Sequence, residues 1–201
     1  MHPLTPILFG LITPFVSVAA ESTPHEVTKD FTGRGQIHIL KSDSFFDASP
    51  EQDRIGCLNE QGLLTQKDCA VFTRKDVSPH TLSSPRGDCS FRNANMPSNK
   101  DSWYGTNTHA WSCGRFGKGG DGDGNGNWDG VEEFYYTVNG FRYPFVCNGN
   151  INCYYDIPRA PTENETVQPV WQYYWGGEQP GITPGHLQVL WLWVPVGRES
   201  V

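Results

Sequence analysis

The chain has 201 residues, a formal net charge of −7 and an aromatic content of 13%. This length suits one domain, and the negative charge argues against a nucleic-acid partner, whose phosphates would be repelled. The 22 glycines and 15 prolines separate short aromatic runs, a pattern typical of strands joined by turns. We therefore predict a mainly β protein: an antiparallel sheet, sandwich or barrel with long loops and little helix.

The N-terminus has the pattern of a secretory signal peptide. Residues 3–20 are apolar or small, and the small residues Val18 to Ala20 allow cleavage after Ala20. Residues 21–35 are polar and aperiodic, which indicates a flexible N-terminus. The prediction is a signal peptide over 1–20 and a single secreted β-rich domain over 36–201. After cleavage, we expect an extracellular protein with no membrane contact.

The cysteines support the same compartment. All six follow the predicted cleavage site: Cys57, Cys69, Cys89, Cys113, Cys147 and Cys153. An even number in a secreted chain predicts three disulfides, although many pairings remain open. Cys147 and Cys153 lie on either side of a predicted turn that one bridge could cross. Asn164, in Asn-Glu-Thr, is a predicted N-glycosylation site.

An acidic, glycine-rich loop over residues 121–132 predicts a calcium site. The spacing matches an EF-hand loop at every ligand position, with Gly126 at the sharp turn. The predicted ligands are Asp121, Asp123, Asn125, Asn127 (through its carbonyl), Asp129 and Glu132. The resemblance to the EF-hand covers this loop alone, because glycines precede it and a strand pattern follows. The alternative is a solvated turn without a metal.

The segment after this loop predicts a β-hairpin. An Asn-Gly pair at 139–140 between aromatic runs is typical of a two-residue type I′ turn. The resulting register pairs Phe134 with Phe145 and places Glu133 and Arg142 on the same solvent-facing side.

The remaining elements follow from short apolar patterns. A short helix is predicted near 49–51, and residues 78–107 are expected to be loop. The last predicted strand is almost continuously apolar, so we expect it to be central and covered on both faces. The predicted strands are 36–40, 70–74, 152–156, 170–175 and 187–194, and 187–194 is the central one.

An enzyme hypothesis rests on four residues in chain order: His109, Glu133, Arg142 and His186. The order is similar to that of secreted fungal ribonucleases and ribotoxins, which use such residues for acid–base chemistry on a phosphodiester. The GDGNG segment is also similar to a ribotoxin loop. The spacings and other motifs of that family are absent. A glycosidase using the carboxylates of the 121–133 region is a further alternative.

Aromatic residues near the C-terminus allow two interpretations. Spaced as on strands, they predict a buried core or, less favoured, a platform that stacks on sugars. They are Trp171, Tyr173, Trp175, Trp191 and Trp193.

Several short segments resemble small secreted, cysteine-containing proteins of filamentous fungi without an assigned activity. They are GCLN (56–59), GDCSF (87–91), HAWSC (109–113), YPFVC (143–147), CYYD (153–156) and PGHLQVLWLW (184–193). The resemblance implies an extracellular compartment, and some such proteins act as effectors or allergens at a host surface. We therefore expect a non-enzymatic interaction protein whose partner is an extracellular protein or glycan. The alternatives are a secreted hydrolase or a carbohydrate-binding module.

Overall fold

The computed structural model describes residues 31–76, 80–102, 109–114, 133–149, 153–162, 167–173 and 181–197. Within these ranges the chain forms strands and no helix, which confirms the mainly β prediction. The strands are β1 (Arg34–Leu40), β2 (Arg54–Leu58), β3 (Leu64–Thr65), β4 (Phe72–Arg74), β5 (Leu82–Ser84), β6 (Gly87–Ser90), β7 (Ser112–Gly114), β8 (Tyr135–Thr137), β9 (Val146–Asn148), β10 (Tyr155–Ile157), β11 (Trp171–Gln172) and β12 (Leu187–Pro195). No helix in the described ranges is long and apolar enough to cross a membrane.

Ten of these strands form one antiparallel sheet that curls into a half-barrel. Its order is β11-β10-β12-β1-β4-β5-β6-β7, and β2 pairs with both β1 and β3. β8 and β9 form a separate two-stranded sheet.

β12 is the central strand, as its apolar sequence predicts. It pairs with β1 along one edge and with β10 along the other. Val189, Trp191 and Trp193 lie in the larger core cluster, whereas Leu190 and Leu192 lie in a second cluster. Because successive strand residues point to opposite faces, the two clusters cover opposite sides of β12.

The larger cluster is built from aromatic rings. Trp191 stacks on Tyr155 with ring centroids 3.7 Å apart and meets Trp111 edge-on at 4.8 Å. Trp191 and Trp193 are fully buried, and Trp171 and Tyr173 expose only 6% and 5% of their surface. The core interpretation of these four residues is therefore confirmed, and they do not form a sugar-stacking platform. Trp175 lies outside the described residues.

The fold contains three disulfides: Cys57–Cys69, Cys89–Cys113 and Cys147–Cys153. The number predicted from the sequence is confirmed, and so is the bridge between Cys147 and Cys153. Cys89 and Cys113 lie directly opposite each other on β6 and β7. These bonds are consistent with an extracellular protein, because disulfides persist in oxidising compartments.

The predicted register of the central hairpin is wrong. Tyr136 pairs with Cys147, so residues 138–145 form a longer loop between β8 and β9. The cause is tertiary packing. Phe145 pairs with Leu192 of β12, and Phe141 packs on Phe45 with ring centroids 4.7 Å apart. These contacts bury the aromatic side chains in the second cluster, which the tight turn would have prevented.

Three local expectations also need correction. The predicted helix near 49–51 is a single turn, closed by Asp53 N donating to Ser49 O at 2.8 Å. The region predicted as loop contains β5 and β6, whose short strands carry little periodic signal. β1 begins at Arg34, and Phe31 is buried edge-on against Trp193, whereas residues 32–34 are exposed.

Candidate functional site

A buried carboxylate and a partly exposed imidazole form a hydrogen-bonded pair. Asp156 lies on β10 with no solvent exposure, and His186 lies immediately before β12. The Nδ1 atom of His186 is 2.6 Å from Oδ1 of Asp156. A carboxylate can only accept, so Nδ1 carries the hydrogen and Nε2 of the neutral ring carries a lone pair.

Two further donors hold the other carboxylate oxygen. Asn99 donates through Nδ2 to Oδ2 of Asp156 at 3.1 Å, and the Thr183 hydroxyl donates to the same oxygen. Asn99 and Thr183 are both buried. Three donors thus replace the hydration that the Asp156 carboxylate loses on burial.

The imidazole ring of His186 is held on its face as well as at Nδ1. It stacks on Trp171 with centroids 5.8 Å apart and an interplanar angle of 18°. Trp171 is anchored in turn, because its Nε1 donates to Pro97 O at 2.9 Å. The His186 side chain remains 12% exposed. The ring therefore has a fixed orientation and an edge that solvent can reach.

Five residues, of which one is exposed and four are partly buried, form a layer on the second core cluster, which we call the aromatic surface. They are Phe45, Phe46, Phe141, Tyr143 and Tyr154. Phe46 is 81% exposed, and its ring lies 5.2 Å from that of Phe141. The Arg142 guanidinium lies over the Tyr143 ring at 5.2 Å. Apolar rings flanked by an arginine are typical of protein-binding surfaces.

The loop that presents Phe46 is rigidly hydrogen-bonded. The Ser44 hydroxyl accepts from the backbone N–H of Phe46 at 3.3 Å and of Asp47 at 3.2 Å. It donates to Oδ2 of Asp47 at 2.8 Å. The Tyr154 hydroxyl anchors the same loop by donating to Asp43 O at 3.1 Å. These hydrogen bonds therefore hold Phe46 in its exposed position.

The Asp156–His186 pair adjoins this aromatic surface. Tyr154 lies one residue before β10 and packs on the second cluster. Its neighbours Tyr155 and Ile157 lie in the larger cluster, so Asp156, between them, points to the side of Tyr154. Tyr173 connects them, because its ring lies 6.4 Å from that of Tyr154. Burial, and secondarily the Asp156 charge, raise the pKa of Tyr173.

Glu133 occupies a different polar network, against the larger cluster. Its Oε1 accepts from Ser90 Oγ at 3.0 Å and from Phe91 N at 2.9 Å. Its Oε2 accepts from the Tyr135 hydroxyl at 2.8 Å, which accepts from Trp111 Nε1 at 2.6 Å. Burial raises the pKa of Glu133, although these hydrogen bonds act in the opposite direction. Glu133 thus anchors the start of β8 to the core.

The four residues of the ribonuclease hypothesis do not share one hydrogen-bonded site. His109 donates from Nδ1 to Met96 O at 3.0 Å. Among the described residues, no hydrogen bond joins either histidine to Glu133 or Arg142. The predicted common face of Glu133 and Arg142 is wrong. Glu133 is held by the hydrogen bonds described above, whereas Arg142 lies in the 138–145 loop over the Tyr143 ring.

Two predicted sites lie outside the described residues. They are the calcium loop 121–132, with all of its proposed ligands, and the glycosylation site Asn164. Both stay predictions. Within the described ranges, no group of three or more His, Cys, Asp or Glu residues is arranged to hold a metal ion.

The sequence patterns did not indicate Asp156, Asn99 or Thr183 as site residues. A usable signal for Asp156 was present, since it is a lone carboxylate inside the apolar run CYYDI. Such a residue needs buried donors. No comparable signal marked Asn99 or Thr183, which lie 57 and 27 residues from Asp156 in the chain.

Comparisons with models of known protein families, with curated proteins and with solved structures gave no match. Function is therefore inferred from these residues and their geometry.

His38 predicts a pH-dependent stability. Burial, and secondarily the Arg54 charge, lower the pKa of His38 from 6.5 to about 4. Between these values the unfolded chain binds the proton and the folded chain does not, so stability falls as pH decreases through this window. Urea unfolding at pH 7.0 and about pH 4.5, for the natural chain and His38→Gln, measures this loss. We expect a smaller loss in the variant. Equal losses in both chains would contradict the assignment.

Proposed function

We propose that this chain is a secreted extracellular interaction protein that binds a partner protein through the aromatic surface. The observation that carries the proposal is the 81% exposure of Phe46 on a hydrogen-bonded loop. Exposing a phenylalanine is unfavourable in water. A rigid backbone that maintains this exposure lowers the entropic cost of binding.

Secretion is supported by the signal-peptide pattern over residues 1–20 and by the three disulfides. The resemblance to secreted proteins of filamentous fungi supports a role at a host interface, such as that of an effector or allergen-like protein. Calcium bound by residues 121–132 is part of the proposal, supported by the full set of oxygen ligands at EF-hand spacing.

A protein partner is favoured over a glycan by the composition of the surface. Phenylalanine, tyrosine and arginine dominate the centres of protein interfaces. Tryptophans Trp171, Trp191 and Trp193, which would have served a sugar-stacking platform, are buried.

Phe46→Ala tests this proposal. We expect the variant to lose about 30-fold in affinity for a protein ligand, which corresponds to a hot spot of roughly 2 kcal/mol. Its melting temperature should hardly change, because the ring is mostly exposed. The measurement is a screen of the mature protein against purified extracellular proteins and a glycan array, followed by titration of each ligand found.

Phe134→Ala is the matched control. Phe134 is also exposed, at 37%, but its ring stacks on Tyr136 away from the aromatic surface. Removal of the Phe134 ring should leave the affinity for the protein ligand unchanged. Ligands that bind both variants equally, or binding confined to glycans, would overturn the proposal.

A further inference from the structure

We propose that His186, oriented by Asp156, is a general base that activates water for the hydrolysis of an acyl ester. This activity is separate from partner binding and does not depend on it. The proposal rests on the orientation of the ring, the access to its free nitrogen and the chemistry of its surroundings.

The orientation is that of a base and not of a donor. The 2.6 Å contact of Nδ1 with the buried carboxylate assigns the hydrogen to Nδ1 and directs the Nε2 lone pair away from Asp156. Stacking on Trp171 fixes the plane of the ring, and the backbone N–H of His186 donates to Thr183 O at 2.9 Å. A nucleophile-activating histidine needs such an orienting partner.

Solvent reaches part of the His186 side chain, which is 12% exposed. Gly185 adopts a φ of +83°, and a Cβ built there would meet nothing within 4 Å. No described group forms a hydrogen bond with Nε2 of His186. Next to Asp156, the buried Oδ1 of Asn99 has no hydrogen-bond partner among the described residues.

The surroundings favour an acyl ester over other hydrolysable bonds. Phosphodiester hydrolysis needs a cation near the transferred group, and none of the described side chains that bond to or stack on the pair is cationic. Glycoside hydrolysis needs two carboxyl groups facing the sugar, whereas Asp156 is buried and holds three donors. An oriented neutral imidazole is suited to adding water to a carbonyl.

The proposed hydrolysis has two stages, addition of water and loss of the alcohol. Nε2 takes a proton from water while the water oxygen bonds to the ester carbonyl carbon, whose π electrons move to the carbonyl oxygen. The tetrahedral intermediate then collapses, the carbon–alkoxy bond breaks, and the leaving alkoxide takes the proton from Nε2. The products are a carboxylic acid and an alcohol, and the imidazole is restored.

The test is the hydrolysis of p-nitrophenyl acetate by the full mature chain. His186→Gln is expected to lower kcat/KM by at least about 100-fold, the usual contribution of a positioned base. Asp156→Asn provides a second variant. Its Oδ1 can still accept from Asn99 and Thr183, while its amide hydrogen faces Nδ1 and forces the hydrogen onto Nε2. We expect a loss of similar size with the fold retained in near-ultraviolet circular dichroism.

His80→Asn is the control. The Nδ1 atom of His80 lies 3.4 Å from the backbone carbonyl of Lys75, between β4 and β5. It should retain the natural rate. If a His186 variant does not fold, the natural chain is modified with diethyl pyrocarbonate instead, and the labelled residues are mapped by mass spectrometry. Loss of activity should then follow the labelling of His186. A natural chain no faster than the buffer blank would overturn the proposal. So would a folded His186→Gln chain of undiminished rate, or inactivation that does not follow labelling of His186.

Discussion

Replacement of Asp156 by alanine is expected to lower the free energy of unfolding by about 3–5 kcal/mol, because each buried donor left without an acceptor costs about 1–3 kcal/mol. The carboxylate has no solvent exposure and accepts from Asn99, Thr183 and His186. Alanine would leave these three donors without an acceptor, and Asn99 and Thr183 are too deeply buried for water to replace it readily. Urea unfolding followed by tryptophan fluorescence measures the effect.

Asp88→Ala is the control for this prediction. Asp88 pairs with the Lys75 ammonium at 2.9 Å, but its side chain is 60% exposed. An exposed ion pair contributes about 0–1 kcal/mol, so this variant should unfold close to the natural midpoint. Equal losses in the two aspartate variants would show that the buried network does not carry the stability assigned to it.

Glu133→Ala is expected to destabilise the fold by about 2–4 kcal/mol, since each buried donor left without a partner costs about 1–3 kcal/mol. The donors are the Ser90 hydroxyl, the Phe91 N–H and the Tyr135 hydroxyl. The Tyr135 hydroxyl also accepts from Trp111, so the change should reach the aromatic core. Unfolding can be followed by the tryptophan signal.

Glu133→Gln separates the hydrogen bonds from the charge. The amide oxygen can keep the bonds from Ser90 and Phe91, so we expect less than half of the alanine effect. Because burial raises the pKa of Glu133, ionisation is less favourable in the folded chain than in the unfolded chain. The contribution of Glu133 is therefore greatest below its unfolded pKa and decreases as pH rises through the folded value. An alanine variant within 0.5 kcal/mol of the natural chain, roughly the effect of a surface change, would contradict this role.

The features that the sequence by itself determined depend on composition and on short periodic patterns. Glycine and proline turns between aromatic runs indicated a β fold, and the even cysteine count indicated three disulfides. The apolar run at Leu187–Pro195 indicated a central strand. These predictions were correct because a strand covered on both faces must be apolar throughout, wherever its neighbours come from in the chain.

Only the tertiary structure decided the hairpin register and the polar sites. The Asn-Gly pair at 139–140 favours a tight turn locally, but Phe141 and Phe145 gain more by packing on Phe45 and β12. Glu133 instead accepts hydrogen bonds from Ser90, Phe91 and Tyr135. Likewise, Asp156 meets Asn99 and His186 from 57 and 30 residues away. Such contacts are set by strand order and by the need to satisfy a buried charge, and neither is encoded in any local pattern.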